Sequence, residues 1–408
     1  MEVGPCLIAQ VKAFIGVRTD QINQTALSAD AAISYRLVMI KYDFNSHKRL
    51  WFQYAMESVS MMHSTLAMAA ALWRAENTAL EKSIQLEGMR QKYQAIREIR
   101  TQLPKYCGVD IQDSGIAYLM SAMSTLVFAE IYDGNFDAAE MHLQGVHTLF
   151  NSHSRRSNLE ADFVFCKATG LADILVATTL GRQLVLPTLH VNQTSSPVLI
   201  LDDAETQPLD SSITESNSDE VVGIFSRLRQ ALLARQSLML SSEDQQSLLN
   251  DADFCILQYL PQARDTLPDA TKRTRALVLA AHVFMYATLR QVPPKSTLMR
   301  RMVTRLQYAV GESLAAQNIW AGQKRALVWI AFVGMLGTGV GEACPQERWF
   351  LNLITCAACA HSRADYVLCN RDIRQICSAF LWDEAYCQPV LAELEKRQRY
   401  CGVRRTDP

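Results

Sequence analysis

Residues 114–150 read SGIAYLMSAMSTLVFAEIYDGNFDAAEMHLQGVHTLF, and the rest of the chain is organised around this segment. No charged residue occurs in it before Glu130, and apolar residues recur at three- and four-residue spacing, as in a helix that faces a core. Gly134 suits a helix end, because glycine takes the left-handed backbone conformation at little cost. Asn135 suits the cap of a following helix through its side-chain oxygen. The stretch therefore predicts two antiparallel helices joined by a tight turn.

The segments before this hairpin also have helical periodicity. Residues 51–73 begin with aromatic side chains and continue into an alanine-rich run, whose small side chains let helices approach closely. Residues 78–103 form a long amphipathic pattern, with Met89 and Tyr93 among the positions expected to face inward. Pro104 is expected to end this helix.

Helical patterns resume at residue 221 and continue to a last helix expected at 389–400. Strand signals are weak throughout, and residues 197–201 are the one short candidate. We therefore expect an all-α protein, built as a multi-helix array of antiparallel helical hairpins.

An acidic segment divides the chain. Residues 188–220 contain seven acidic residues and no Lys or Arg, which is typical of a disordered or loop linker. A second interpretation is an acidic and apolar activating or docking peptide built on residues 198–201, which read VLIL. The predicted organisation is an N-terminal helical half at 1–187, the acidic linker at 188–220, and a C-terminal helical half at 221–408 packed on the first.

Composition narrows the class of protein. The 408 residues carry 40 basic and 41 acidic side chains, a balance that argues against a surface devoted to nucleic-acid phosphates. The 11 cysteines are an odd number and scattered, and the N-terminus does not resemble a signal peptide, so an intracellular, reducing compartment is expected. The uncharged stretches fall short of the roughly 20 residues that cross a bilayer, so no membrane association is expected.

The sequence has only weak candidates for a metal-binding or catalytic motif. Cys356 and Cys359 form the only CxxC pair, without the second pair that a structural zinc site requires. His142 and His147 are five residues apart, which turns them about 140° from each other around a helix, so they cannot share a metal. Neither a metalloprotease HExxH nor a hydrolase GxSxG motif occurs. We expect no metal, no cofactor and no catalytic residues, and hence not an enzyme.

Several motifs together resemble the regulatory, or middle homology, domain of fungal zinc-cluster transcription factors. The order is an aromatic and alanine-rich helix at 51–73, the long helix at 78–103, and the Asp-Gly turn, followed by Ala-x-x-His-Leu-x-Gly. In that last motif His142, Leu143 and Gly145 are the family marker. The later segments Leu-Val-Trp at 327–329, Arg-Trp-Phe at 348–350 and Phe-Leu-Trp at 380–382 extend the resemblance over most of the chain.

The resemblance implies a nuclear, or nuclear and cytoplasmic, transcription regulator, with secondary metabolism as its expected setting. It also implies contacts with the transcription machinery or other regulator proteins, and it allows a homodimer. The six-cysteine zinc cluster that reads DNA in this family is missing from the sequence, so direct sequence-specific DNA binding is not expected of this chain.

Two alternatives stay open beside this interpretation. One is a helical ligand-binding or catalytic protein of a biosynthetic pathway, and the other is a zinc-cluster activator truncated at its N-terminus. Both the regulator and the first alternative allow a small-molecule effector between helices. The side chains suited to line its pocket are Trp51, Tyr54, His63, Trp73, Trp329 and Trp349.

Overall fold

The computed structural model describes most of the chain and confirms the all-α class. The described residues are 48–76, 81–106, 115–153, 162–186, 189, 209–214, 219–237, 242–262, 269–315, 320–339, 344–359 and 370–403. They contain helices and connections but no strand. The strand candidate at 197–201 and most of the acidic segment lie outside these residues, as do the side chains of Cys356 and Cys359.

The chain divides into two compact units, the first made of residues 1–180 and 184–192, the second of 181–183 and 193–408. The first unit has six described helices: α1 Lys48–Met56, α2 Val59–Glu76, α3 Glu81–Tyr106, α4 Gly115–Asp133, α5 Phe136–His153 and α6 Phe163–Leu180. Helix α4 lies at the centre of this unit, because it packs against α2, α3, α5 and α6.

Helix α4 shows why an uncharged run becomes a core helix. All but three of its 19 residues are buried. It is long and apolar enough to cross a membrane on length and composition alone, and 89% of its apolar window is buried inside the protein. Burial against four neighbouring helices accounts for this composition without a bilayer.

The turn after α4 is a Schellman motif. Gly134 has a φ of 81°, its backbone N–H donates to the Ile131 carbonyl at 3.1 Å, and the Asn135 N–H donates to the Glu130 carbonyl at 2.8 Å. Helix α5 begins at the next residue and packs against α4. The two helices and the tight turn lie where the sequence predicts them.

Helix α3 differs from its prediction in two ways. Met89 and Tyr93, expected to face inward, are 52% and 65% exposed. The buried positions are Ile84, Gln91, Ala95, Ile99 and Tyr106. Helix α3 carries two apolar faces, and periodicity alone does not tell which one meets the core. The helix also continues past Pro104 to Tyr106, because a proline in the last turn removes only one backbone donor.

The described residues of the second unit form one short helix followed by nine more helical segments. They are α7 Ser211–Thr214, α8 Asp219–Ser237, α9 Ser242–Gln262, α10 Asp269–Phe284, the π-helical turn Met285–Leu289, α11 Thr297–Ala315, α12 Lys324–Thr338, α13 Pro345–Cys359, α14 Asn370–Ser378 and α15 Glu384–Val403. Helix α12 is its central helix, in contact with α10, α11, α13, α14 and α15.

Two segments of this unit refine the sequence predictions. Helix α15 begins five residues before Pro389, because Asp383 caps it: the Ala385 N–H donates to Asp383 Oδ1 at 3.1 Å. The end of the acidic segment is folded, since Asp210 and Ile213 are buried and Arg325 Nε donates to Asp210 at 2.8 Å.

Candidate functional site

An ionic network surrounds the turn between α4 and α5. Lys92 of α3 lies 2.9 Å from Glu130 and 2.6 Å from Asp133, and Arg74 of α2 lies 2.6 Å from the other Asp133 oxygen. The expected cap uses the side-chain oxygen of Asn135, whereas the structure shows its side-chain nitrogen donating to Glu130 at 3.0 Å. The network therefore ties α2 and α3 to the hairpin at its turn.

The three family-marker residues lie next to this network and the core. His142 Nε2 is 3.9 Å from a side-chain oxygen of Glu130, which is too long for a hydrogen bond. Burial alone would raise the pKa of Glu130, but His142 and Lys92 outweigh burial and lower that pKa. Leu143 is fully buried, and Gly145 faces Met123 of α4. His142 and Gly145 thus lie against α4, and Leu143 belongs to the core.

Gly145→Leu is expected to lower the free energy of unfolding by about 1–3 kcal/mol, because it overpacks the contact between α5 and α4. A Cβ at this position would lie 2.6 Å from the terminal methyl of Met123. Urea unfolding followed by far-ultraviolet circular dichroism measures the loss. Gly311→Leu is the control, since nothing lies within 4 Å of a Cβ at Gly311, and adding Met123→Ala should restore part of the loss. Equal stability of Gly145→Leu and the parent would contradict this packing role.

Tyr54 of the predicted effector set is held by protein groups. Its hydroxyl lies 3.3 Å from Ser121 of α4 and donates to Asp162 at 3.1 Å. Its ring centroid is 4.2 Å from that of Tyr118. Burial raises the pKa of the Tyr54 hydroxyl well above its usual range, so this group stays neutral and acts as a hydrogen-bond donor.

The other predicted residues of the first unit lie near Tyr54 in sequence but have different surroundings. Trp51 is 2% exposed, and Trp73 is half-buried. His63 is buried, and its Nδ1 lies 2.6 Å from the Gln91 side-chain oxygen of α3. Tyr54 thus contacts α4 while His63 contacts α3. An effector site at these residues stays a prediction.

The predicted residues of the second unit are Trp329 on α12 and Trp349 on α13. Trp329 is fully buried, and its ring stacks on Phe380 with the centroids 5.1 Å apart. Trp349 is half-buried and meets the ring of Phe350 edge-on at 4.9 Å. Both are surrounded in part by aromatic neighbours, which is the packing that large core side chains prefer.

A fully buried charged cluster was missed by sequence reasoning. Asp253 of α9 is 0% exposed, and its two oxygens accept from His282 Nε2 at 2.9 Å and from Arg290, at 2.9 Å from Nε and 2.5 Å from Nη2. Arg290 also donates to Asn250 at 2.8 Å. We call these four residues the Asp253 cluster. It joins α9 to the end of α10.

The Asp253 cluster lies at an irregularity of the backbone. Arg290 directly follows the π-helical turn Met285–Leu289, and Gln291 has a φ of 52°. Single π turns within helices are rare and often accompany functional positions. The sequence signal is faint. Asp253 lies two residues after Asp251 in a segment of mixed polarity, and His282 is a single polar residue within the apolar run 276–284, which periodicity tolerates.

The electrostatics of the cluster are those of one internal ion pair beside a neutral histidine. Burial alone would raise the pKa of Asp253, but Arg290 and His282 outweigh burial and lower it. Burial is the largest effect on His282 and lowers its pKa, with Arg305 and Arg290 adding to the decrease, while Asp253 opposes it. Asp253 is therefore ionised, and His282 is neutral with its proton on Nε2.

Stability is expected to fall as the pH decreases below the ordinary His pKa of 6.5, partly because of His282. Its pKa is lower in the folded state, so the unfolded state binds more protons in this window and acid favours unfolding. His282→Gln retains a donor for Asp253 without the titration. Its stability should depend less on pH between 7.5 and 5, by at most about 1.4 kcal/mol per pH unit. Urea unfolding across this range measures the difference, and identical slopes would refute the assignment.

The described residues offer little to a metal or a substrate. Among them, no group of three or more His, Cys, Asp or Glu side chains is arranged to hold a metal ion. The buried carboxyl of Asp253 is enclosed and already bound by two partners, so it does not face a ligand. The buried charges found in both units hold helices together.

Comparison with known protein families identifies the family of this helical chain. Residues 33–362 match the fungal specific transcription factor domain, which covers most of the 408 residues. No curated protein and no solved structure matches the chain. The match includes the hairpin with His142, Leu143 and Gly145, and the Asp253 cluster. The chain therefore belongs to the fungal specific transcription factor domain family, a family of transcription regulators rather than of enzymes.

Proposed function

We propose that this chain regulates transcription through contacts with other proteins, without a zinc-cluster DNA reader among its 408 residues. The family match over residues 33–362 is the observation that carries the proposal. The nucleus, or nucleus and cytoplasm, is the location that this role requires.

Two properties of the sequence support the protein-contact mechanism. Its 40 basic and 41 acidic residues leave a net charge of −1, whereas a domain that binds DNA by itself usually has a clustered basic excess. The zinc cluster needs six cysteines close together in sequence. The 11 cysteines of this chain are scattered, and only those at 356 and 359 form a CxxC pair. DNA recognition is then supplied by a partner protein or by sequence outside these residues.

A tethering experiment tests regulation directly. The chain is fused to a bacterial DNA-binding domain and expressed with a reporter gene that carries the matching operator. Reporter transcription should change relative to the DNA-binding domain alone, and the fluorescently tagged chain should enter the nucleus. Unchanged reporter transcription despite normal expression and nuclear entry would refute the proposed regulation.

DNA binding is tested separately on the purified, untethered chain. Gel-shift titrations with a randomised duplex library should show no enrichment of a sequence, and weak binding should disappear as salt increases. Enrichment of one site with tight, salt-resistant binding would show that the chain reads DNA itself.

Loss of the gene separates a regulator from a pathway enzyme. A regulator's loss should change several transcripts together, while an enzyme's loss should lead to the accumulation of one defined intermediate. Sequencing of transcripts upstream of Met1 shows whether a zinc cluster is encoded there, which would place the DNA reader in the same protein.

A further inference from the structure

Helix α3 has an exposed apolar stripe besides the face that meets the core. Leu86, Met89 and Tyr93 are 66%, 52% and 65% exposed. The half-buried Ile96 and Leu103 continue the same line. We call these five residues the α3 stripe. Apolar side chains of this size seldom remain exposed together on one helix without a partner.

The spacing of the α3 stripe is that of a helix-pairing seam. Its positions, with Arg100 between the last two, follow each other at intervals of three, four, three, four and three residues. This 3.5-residue period is the a and d pattern by which two helices pack side by side. The core-facing residues Ile84, Gln91 and Ala95 lie more than a right angle around the helix from Leu86, Met89 and Tyr93. The buried Ile99 lies next to the half-buried end of the stripe at Leu103. A partner helix can therefore cover Leu86, Met89 and Tyr93 while α3 stays packed on the core.

The side chains beside the α3 stripe are positively charged, which favours an acidic partner. Arg90 and Arg97 occupy the flanking e positions, with 61% and 59% of their side chains exposed, and Arg100 is exposed within the stripe. Their contacts with acidic groups of the same helix are weak: Arg90 is 3.8 Å from Glu87, and Arg97 pairs with the adjacent Glu98 at the surface. The flank is therefore basic and available to carboxylates.

A second copy of α3 does not complement this flank. In an antiparallel pair the e positions face each other, which would bring arginine against arginine. In a parallel pair Arg97 would face Lys92, and Arg90 would face an uncharged Gln85. Neither arrangement supplies an acidic side chain, and like charges at such positions oppose pairing.

We propose that the α3 stripe is the docking site for an acidic amphipathic helix of a partner protein. The apolar seam of that helix packs on Leu86, Met89 and Tyr93, while its Asp or Glu side chains lie along Arg90 and Arg97. Helix-on-helix docking of this kind uses apolar anchors for affinity and flanking charges for partner choice. The proposal rests on the proposed function and specifies the chemistry of one protein contact.

Peptide binding to the purified full chain tests the surface. The probe is a fluorescent 21-residue helical peptide with leucine at a and d, glutamate at e and g, and alanine elsewhere; the matched peptide has lysine in place of glutamate. By anisotropy the acidic peptide should bind about 10-fold more tightly or better, because opposite flanking charges favour pairing. Equal affinity of the two peptides, or binding of neither, would overturn the proposal.

Variants locate the binding. Tyr93→Asp should abolish binding of the acidic peptide, and Arg90→Glu with Arg97→Glu should reverse the preference toward the lysine peptide. The control, Arg300→Glu with Arg348→Glu, makes the same charge change at exposed positions of the second unit and should leave binding unchanged. Binding that survives both sets of α3 changes would refute the site, provided that circular dichroism shows each variant folded.

Other occupants of the stripe give distinct results. A dimer in sedimentation velocity that Tyr93→Asp dissociates would assign the stripe to a second copy. A photo-crosslinking residue at position 89 that reacts with residues 1–47 of the same chain would assign it to that segment. Either result would overturn the proposal.

The tethered reporter distinguishes this surface from the proposed function. If the tethered parent changes transcription and the Arg90→Glu, Arg97→Glu variant does so equally, the proposed function stands and the surface has no part in it. If the tethered parent has no effect, the proposed function fails, while the peptide measurements still decide whether the surface binds acidic helices.

Discussion

Arg290→Met is expected to lower the free energy of unfolding by about 3–5 kcal/mol, because it leaves a buried carboxylate without its cation. Asp253 is 0% exposed, and Arg290 holds it through two nitrogens, at 2.9 and 2.5 Å. Methionine retains much of the side-chain volume, so the loss reports the missing charge more than a cavity. Urea unfolding at pH 7.5, followed by far-ultraviolet circular dichroism, measures the change.

A second substitution shows whether charge is the cause. Asp253→Asn added to Arg290→Met removes the uncompensated carboxylate, so the double variant should be more stable than Arg290→Met alone. The surface control is Arg374→Met, whose ion pair with Glu384 is more than half exposed at both ends and should contribute about 1 kcal/mol or less. A loss for Arg290→Met no larger than that of Arg374→Met would contradict the structural role of the Asp253 cluster.

The contrast between the hairpin and the Asp253 cluster shows what local sequence can predict. The α4–α5 hairpin depends on residues close in sequence: an uncharged run, one glycine at the turn and a second apolar stripe. Asp253 and Arg290 are 37 residues apart and belong to different helices. Periodicity describes each helix separately, so it cannot show which two buried charges meet.

Helix α3 shows the same limit within one element. Its sequence predicts an amphipathic helix, which the structure contains at Glu81–Tyr106. The sequence does not predict which of the two apolar faces of α3 is buried, because Met89 and Ile84 are both at helical spacing from apolar neighbours. Neighbouring helices decide: Gly88 lies close to Ala70 of α2, where a Cβ would be 3.1 Å away, and this approach turns Met89 and Tyr93 outward.

The predicted effector residues show how far residue type alone can lead. Aromatic and histidine side chains were chosen because they suit a pocket, and the structure shows that Tyr54, His63 and Trp329 have hydrogen-bond or ring partners within the protein. Residue type cannot distinguish a side chain that lines a pocket from one that fills a core, since both require apolar surface. A stability measurement makes that distinction.

Trp329→Ala is expected to lower the free energy of unfolding by about 3–5 kcal/mol, the range for removing a large aromatic side chain from a packed core. Trp329 is fully buried, stacks on Phe380 with ring centroids 5.1 Å apart, and lies 5.5 Å from the ring of Phe225. Its indole N–H donates to the Leu381 carbonyl at 3.4 Å, so the truncation also leaves this carbonyl without that donor.

Trp349→Ala is the matched control, because the same side chain is removed from a half-buried position on the neighbouring helix α13. Its loss should be about 1–2 kcal/mol, since less apolar surface leaves water there on folding. Urea unfolding of both variants without any ligand gives the comparison. If Trp329 instead lines an effector pocket, its removal would change ligand-free stability little and would abolish the stabilisation produced by the effector. A loss for Trp329→Ala as small as that for Trp349→Ala would therefore favour the pocket over the core.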